Sequence, residues 1–209
     1  MAGFSIVMLQ FLLIYLLVLG FVLLWSIAAY IMSSLSLHTI AKRRGISKPW
    51  LAWVPIANVW IVGSISDQFR YVTRGQLTNK RKVLLGLFIA VIALMIVMLV
   101  PYISMITLVV SNIDSTMTDA QLYQMMGYAM VILAVAMVMV VVSIVYAVFY
   151  YIALYDVYRS CKPDNATLFL VLTILLGVVY PFFLLSCRKM DLGMPPRTNV
   201  DSAALPPEQ

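Results

Sequence analysis

Residues 4–32 read FSIVMLQFLLIYLLVLGFVLLWSIAAYIM, 29 consecutive positions without a charged side chain. At about 1.5 Å per residue, roughly 20 apolar residues cross the hydrocarbon of a bilayer. This run therefore predicts a helix that spans with tilt and projects beyond the membrane. Two further runs are of the same kind: residues 83–111, interrupted by Pro101, and residues 125–155, rich in Met, Val and Ala. The composition agrees. Of 209 residues, 64% are apolar and 11% charged, with a mean hydropathy of +1.01; soluble domains carry about 45–50% apolar and about 25% charged residues. An excess of this size does not fit inside the core of a soluble domain. It excludes a water-soluble enzyme, a secreted disulfide scaffold and a disordered chain. The expected fold class is all-α, a polytopic membrane helical bundle.

Two shorter runs need a second criterion. Residues 50–66, WLAWVPIANVWIVGSIS, hold Pro55, Asn58 and the tryptophans Trp50, Trp53 and Trp60. Tryptophan favours the headgroup level, and Pro55 removes a backbone donor from a helix that is already short. Residues 166–186, ATLFLVLTILLGVVYPFFLLS, are long enough to cross, but Gly177 and Pro181 permit a broken helix or a hairpin. The positions of the 14 Lys and Arg residues discriminate. If all five runs spanned, seven cations would fall on each side. If the two shorter runs are re-entrant or lie in the interface, all 14 share one side. The positive-inside rule favours the second arrangement. It gives three spanning helices with the N-terminus outside, basic loops and C-terminal tail in the cytoplasm, and two half-embedded elements entered from that side. Five spanning helices, or insertion in both orientations, is the alternative. Residues 1–10 hold no Lys or Arg, and the first run is twice the length of a signal-peptide core, so the first helix is expected to remain in the mature protein.

Residues 1–194 read as one transmembrane domain, and residues 195–209, PPRTNVDSAALPPEQ, as a disordered polar tail. The domain resembles itself. Residues 4–66 and 125–186 each contain a long apolar run, a basic loop with Lys48-Pro49 or Lys162-Pro163, and a shorter apolar element. They form two parallel pseudo-repeats joined by the helix at 83–111.

Chemistry-bearing residues are few. No ionisable side chain lies inside an apolar run; Asp67 and Asp156 stand at run ends, where water is expected. The membrane carboxylate that a proton-coupled exporter needs is therefore missing from this reading. Asp156 reads as a helix-end residue beside Arg159, and no partner motif accompanies it to make an aspartyl-protease pair. His38, with Ser33, Ser34 and Ser36 in SSLSLHTIAKRRG, reads as a surface histidine on a solvated extension of the first helix rather than as half of a catalytic pair. Cys161 and Cys187 lack zinc or redox spacing and read as free thiols. No phosphate-binding glycine loop occurs. No catalytic, cofactor-binding or metal-ligating residue is assigned.

Two sets of candidates remain. Pro55, Asn58, Trp60, Tyr150, Tyr155, Gly177, Tyr180 and Pro181 could form an interface or line a path. Tyr150 and Tyr155 belong to a run with Tyr146, Tyr151 and Tyr158 whose spacing keeps most of them near one helix face. Lys42, Arg43, Arg44, Lys80, Arg81 and Lys82 are expected to contact anionic lipid headgroups, each contributing on the order of 1 kcal/mol. The net charge of +6 thus reports orientation, and no nucleic-acid partner is expected.

Four segments, KPWLAWVPI at 48–56 with Asn58, NATLFL at 165–170, PFFL at 181–184 and CRKMDLGMPPR at 187–197, resemble a loosely defined family of small, uncharacterised multi-pass bacterial membrane proteins, over about a third of the chain. The resemblance implies a bacterial cytoplasmic membrane and no activity. The expected role is a non-enzymatic scaffold, accessory subunit or oligomer-forming component, with a second copy or another membrane protein as partner. A small transporter or channel with a path between the re-entrant elements is the alternative. A lipid-headgroup enzyme ranks last.

Overall fold

Each long apolar run forms a helix, and each helix continues past the run that seeds it. In the computed structural model, which describes residues 2–112 and 117–195 with side chains from Met8 onward, α1 covers Ala2–Arg43, α3 Lys80–Ser111 and α4 Asp119–Cys161. All three are long and apolar enough to cross a membrane. α1 continues through its serine-rich end because the hydroxyls bond back to carbonyls of their own helix. Ser33 reaches Tyr30 at 2.9 Å, Ser36 reaches Met32 at 2.7 Å and Thr39 reaches Leu35 at 2.7 Å. Those three hydroxyls can be buried because they are satisfied, whereas Ser34 Oγ is buried without a hydrogen-bond partner. Ser33, Ser34, Ser36, Leu37 and Ile40 are buried and His38 is half-buried, its Nδ1 3.1 Å from the Pro49 carbonyl oxygen. This corrects the expected solvated extension. α1 stops at Gly45, whose φ of 69° suits glycine. α3 passes through Pro101 unbroken. At the start of α4, the Thr118 amide donates to Gln121 Oε1 at 2.9 Å.

The two shorter runs behave differently from each other. Pro49–Trp53 is a 3₁₀ turn, and α2 follows over Pro55–Arg74, eight residues beyond the apolar run at 50–66. Pro55 sits in the first turn, where no backbone donor is required, so it starts this helix instead of breaking it. Residues 61–69 are all buried against the other helices of the protein, so this run packs as part of a continuous helix rather than as a broken one. Close packing is part of the cause: a Cβ on Gly63 would stand 2.5 Å from Arg81 Cα, so glycine lets the start of α3 lie directly on α2.

Residues 166–186 break at the expected positions, giving α5 (Ala166–Leu175), a 3₁₀ turn (Gly177–Val179) and α6 (Tyr180–Cys187). The 10 residues of α5 reach about 15 Å, half of a hydrocarbon core about 30 Å thick. The chain then returns to its starting level. The Leu192 amide donates to the Cys161 carbonyl and the Gly193 amide to that of Ser160, both at 3.1 Å. The hairpin thus begins and ends at the C-terminus of α4. Both Lys-Pro sequences open a 3₁₀ turn, but one continues as a single helix and the other as this hairpin.

Packing is confined to one end. Leu37 and Ile40 of α1, Ile61, Val62 and Ile65 of α2, Leu84 of α3, Leu154, Val157 and Tyr158 of α4 and Leu184 of α6 form one buried cluster. Lys42, Arg43, Lys80, Arg81, Lys82 and Arg159 mark the same end, here called the basic end. Farther along the long helices, apolar side chains face outward, Leu17 at 73% and Val100 at 68% exposure. Water opposes such a surface and lipid chains accept it.

Candidate functional site

The basic end is held by three carboxylates, each receiving donors from elements distant in sequence. Asp156, near the end of α4 and 5% exposed, accepts three hydrogen bonds on Oδ2. They come from Ser66 Oγ at 2.6 Å, Lys80 Nζ at 2.7 Å and Arg70 Nε at 2.8 Å. It therefore ties α2 and α3 to α4. Arg159 lies on the exposed side of α4, so the expected Asp156–Arg159 pairing is replaced by Arg70 and Lys80. Asp67 of α2 caps α3. Its Oδ1 accepts Thr78 Oγ1 at 2.7 Å and the Lys80 amide at 3.0 Å, and its Oδ2 accepts the Arg81 amide at 3.2 Å. These are amides that α3 itself cannot satisfy, at the end of the helix that favours negative charge.

Asp191, just past α6, holds the end of α1. It accepts Arg44 Nε at 3.1 Å and Nη2 at 2.8 Å and also pairs with Arg43, whose Nη1 reaches the Arg188 carbonyl at 3.0 Å. Gln68 Nε2 donates to the Arg44 carbonyl at 3.0 Å. Arg44 Nη2 lies 3.5 Å from Cys161 Sγ. The neighbouring Cys161 thiol and burial together hold the Cys187 thiol above the usual range. Gly193 completes the junction: a Cβ there would fall 2.1 Å from the Arg159 carbonyl oxygen, so only glycine lets the returning chain lie against α4.

The arrangement changes the meaning of two sequence expectations. Asp67 and Asp156 are enclosed by protein rather than open to water, so this chain does bury charge, and it neutralises that charge with amides and cations. The six cations expected at headgroups also divide. Lys42 and Lys82 are exposed and Arg81 lies 5.3 Å above the ring of Trp60. Arg43 pairs with Asp191. Arg44 and Lys80 point inward, with side chains 1% and 11% exposed, and contact carboxylates instead.

Of the interface candidates, only the side chains of Tyr150 and Tyr180 are hydrogen-bonded to each other. Pro55, exposed, Asn58, half-buried, and Trp60 lie on the first half of α2. The Tyr150 hydroxyl donates to that of Tyr180 at 3.0 Å, joining α4 to α6, and the Tyr146 ring packs at a tilt against both Phe88 and Tyr150. Tyr155 packs against the core, Pro181 is buried in α6 and Gly177 is exposed at the hairpin tip. Tyr158, absent from the candidate set, is the most enclosed of the run. Its hydroxyl lies 3.0 Å from Thr173 Oγ1 and its ring packs edge-on to Phe169 and Phe183. Asp191, Ser66, Thr78, Gly63 and Gly193 were also unforeseen, since each acts through a partner far along the chain. Asp114, Arg197 and the tail from 196 lie outside the described residues. Among the described residues no three metal-ligating side chains converge.

Comparison with known proteins finds no matching protein family, no similar curated protein and no similar solved structure.

Proposed function

We propose that the chain is a multi-pass protein of a bacterial cytoplasmic membrane with a non-enzymatic role, as a scaffold, accessory subunit or oligomer-forming component. Its N-terminus lies outside and its basic end in the cytoplasm, as the distribution of cations favours. The observation that carries this reading is where the polar groups go. Asp67, Asp156 and Asp191 are used to bind the helices to one another, while the long apolar helices leave their outward faces uncovered. A rigid end with open flanks suits a part that is held in, or holds, a larger membrane assembly. The Tyr150 and Tyr180 hydroxyls satisfy each other, which supports a closed α4–α6 contact over a water-filled path there. Lys42 and Lys82 meet anionic headgroups, and the partner is a second copy or another membrane protein.

Solubilisation from native membranes in a mild detergent, followed by light scattering and mass spectrometry, tests the role. A protein mass above one 23.5 kDa chain, with a defined composition, is the expected result. A lone monomer, together with saturable solute flux in proteoliposomes, would replace this reading by a transporter.

A further inference from the structure

The link between α1 and α2 carries an apolar knuckle. Trp50 and Trp53 are 57% and 42% exposed, and Val54 and Ile56 beside them 36% and 45%. The cause is local. In a 3₁₀ turn residues i and i+3 eclipse, so Trp50 and Trp53 share one outward side, while Ala52 between them is fully buried. The knuckle is also fixed in height. The Tyr30 hydroxyl donates to the Trp53 carbonyl, and His38 Nδ1 lies 3.1 Å from the Pro49 carbonyl. Those anchors set it beside residues 30–38 of α1, which run from the last residues of the apolar run, ending at Met32, to one turn before the first cation, Lys42. Lys42 and Lys48 flank it, both exposed.

We propose that this knuckle is an interfacial anchor seated in an anionic lipid leaflet, with the Trp50 and Trp53 indoles at the headgroup–acyl boundary and Lys42 and Lys48 on lipid phosphates. Charge selects the occupant. Two exposed indoles alone would suit any apolar partner, whereas indoles flanked by lysines, at the level where an apolar helix becomes cationic, match the layered chemistry of an anionic leaflet. The anchor restricts how far α1 slides or tilts through the bilayer. It depends on membrane residence and not on the scaffold role.

The test uses the full chain carrying Trp25→Phe and Trp60→Phe, so that only Trp50 and Trp53 emit, reconstituted in phosphatidylcholine–phosphatidylglycerol vesicles. The expected emission is blue-shifted, shielded from acrylamide, and quenched several-fold more by acyl chains brominated near the headgroup than near the chain end. Leaving out phosphatidylglycerol, or introducing Lys42→Gln with Lys48→Gln, is expected to increase acrylamide access. Emission open to acrylamide and untouched by brominated lipid would overturn the anchor, and so would emission shielded from both quenchers, which indicates protein cover. Equal shielding without phosphatidylglycerol would overturn the anionic preference. Resistance of Cys161 and Cys187 to maleimide verifies that each variant is folded. A monomeric protein with the expected quenching would leave the anchor standing while the scaffold reading fell.

Discussion

Replacing Asp156 with Asn removes a charge while keeping nearly the same shape, so its effect reports the ionic part of the α2–α3–α4 junction. The carboxylate receives Ser66, Lys80 and Arg70 within 2.8 Å. In the variant the two cations lose their counter-charge while their side chains stay only 11% and 22% exposed. Breaking a buried pair from one side costs about 3–5 kcal/mol. Partial exposure of Arg70 screens some of this, which places the expected loss near 3 kcal/mol. At about 2–4 °C per kcal/mol for chains of this size, the midpoint of thermal unfolding falls by roughly 6–12 °C. Cys161 and Cys187 supply the assay, because both thiols are buried and a thiol-activated dye stays dark until the basic end opens. Arg159→Gln is the control. Its side chain is exposed, so a change within about 0.5 kcal/mol is expected. A D156N midpoint within about 1 °C of the parent, or an equal fall in R159Q, would refute the reasoning.

Gly193→Ala forces the returning chain off α4, because its Cβ would meet the Arg159 carbonyl at 2.1 Å. A loss of about 2–3 kcal/mol and faster amide exchange at Leu192 and Ala-substituted 193 are expected. Tyr158→Phe removes one buried hydroxyl contact, while Thr173 keeps its 2.7 Å bond to the Phe169 carbonyl. The dye assay should therefore register only about 1 kcal/mol. Arg44→Met leaves Asp191 with Arg43 alone and should lower the midpoint by several degrees; Lys42→Met, on the exposed side, should leave it unchanged. Equal responses from those two variants would contradict the inward placement of Arg44.

Much of the architecture is visible in the chain because membrane length is a local signal. Three runs without charge predict three long helices whatever the rest of the protein does, and Gly177 with Pro181 predicts a break because the backbone there cannot continue an ordinary hydrogen-bond ladder. Helix ends are a different matter. Apolar patterning stops at Met32 and Ser66, yet α1 and α2 continue to Arg43 and Arg74. Serine hydroxyls can bond their own helix, and a charged residue can be buried once it finds a partner. Neither condition is recorded in local hydropathy. The carboxylate junction is hidden for the same reason. Asp156 and Lys80 are 76 positions apart, and Asp191 and Arg44 147. Local spacing instead offered Arg159, the nearest cation to Asp156, which faces away. The two close glycines were equally silent, since their role is set by the backbone that passes over them.

Cysteine accessibility in intact cells and inverted vesicles tests the proposed membrane arrangement most directly, with single reporters at positions 114, 162 and 197 introduced as Asp114→Cys, Lys162→Cys and Arg197→Cys. The buried native thiols remain as internal silent controls. Three spanning helices with a hairpin that returns to the C-terminus of α4 predict labelling from outside at 114 alone, and from the cytoplasm at both 162 and 197. Labelling of 197 from outside would mean that residues 166–186 cross the membrane, and the arrangement would be wrong.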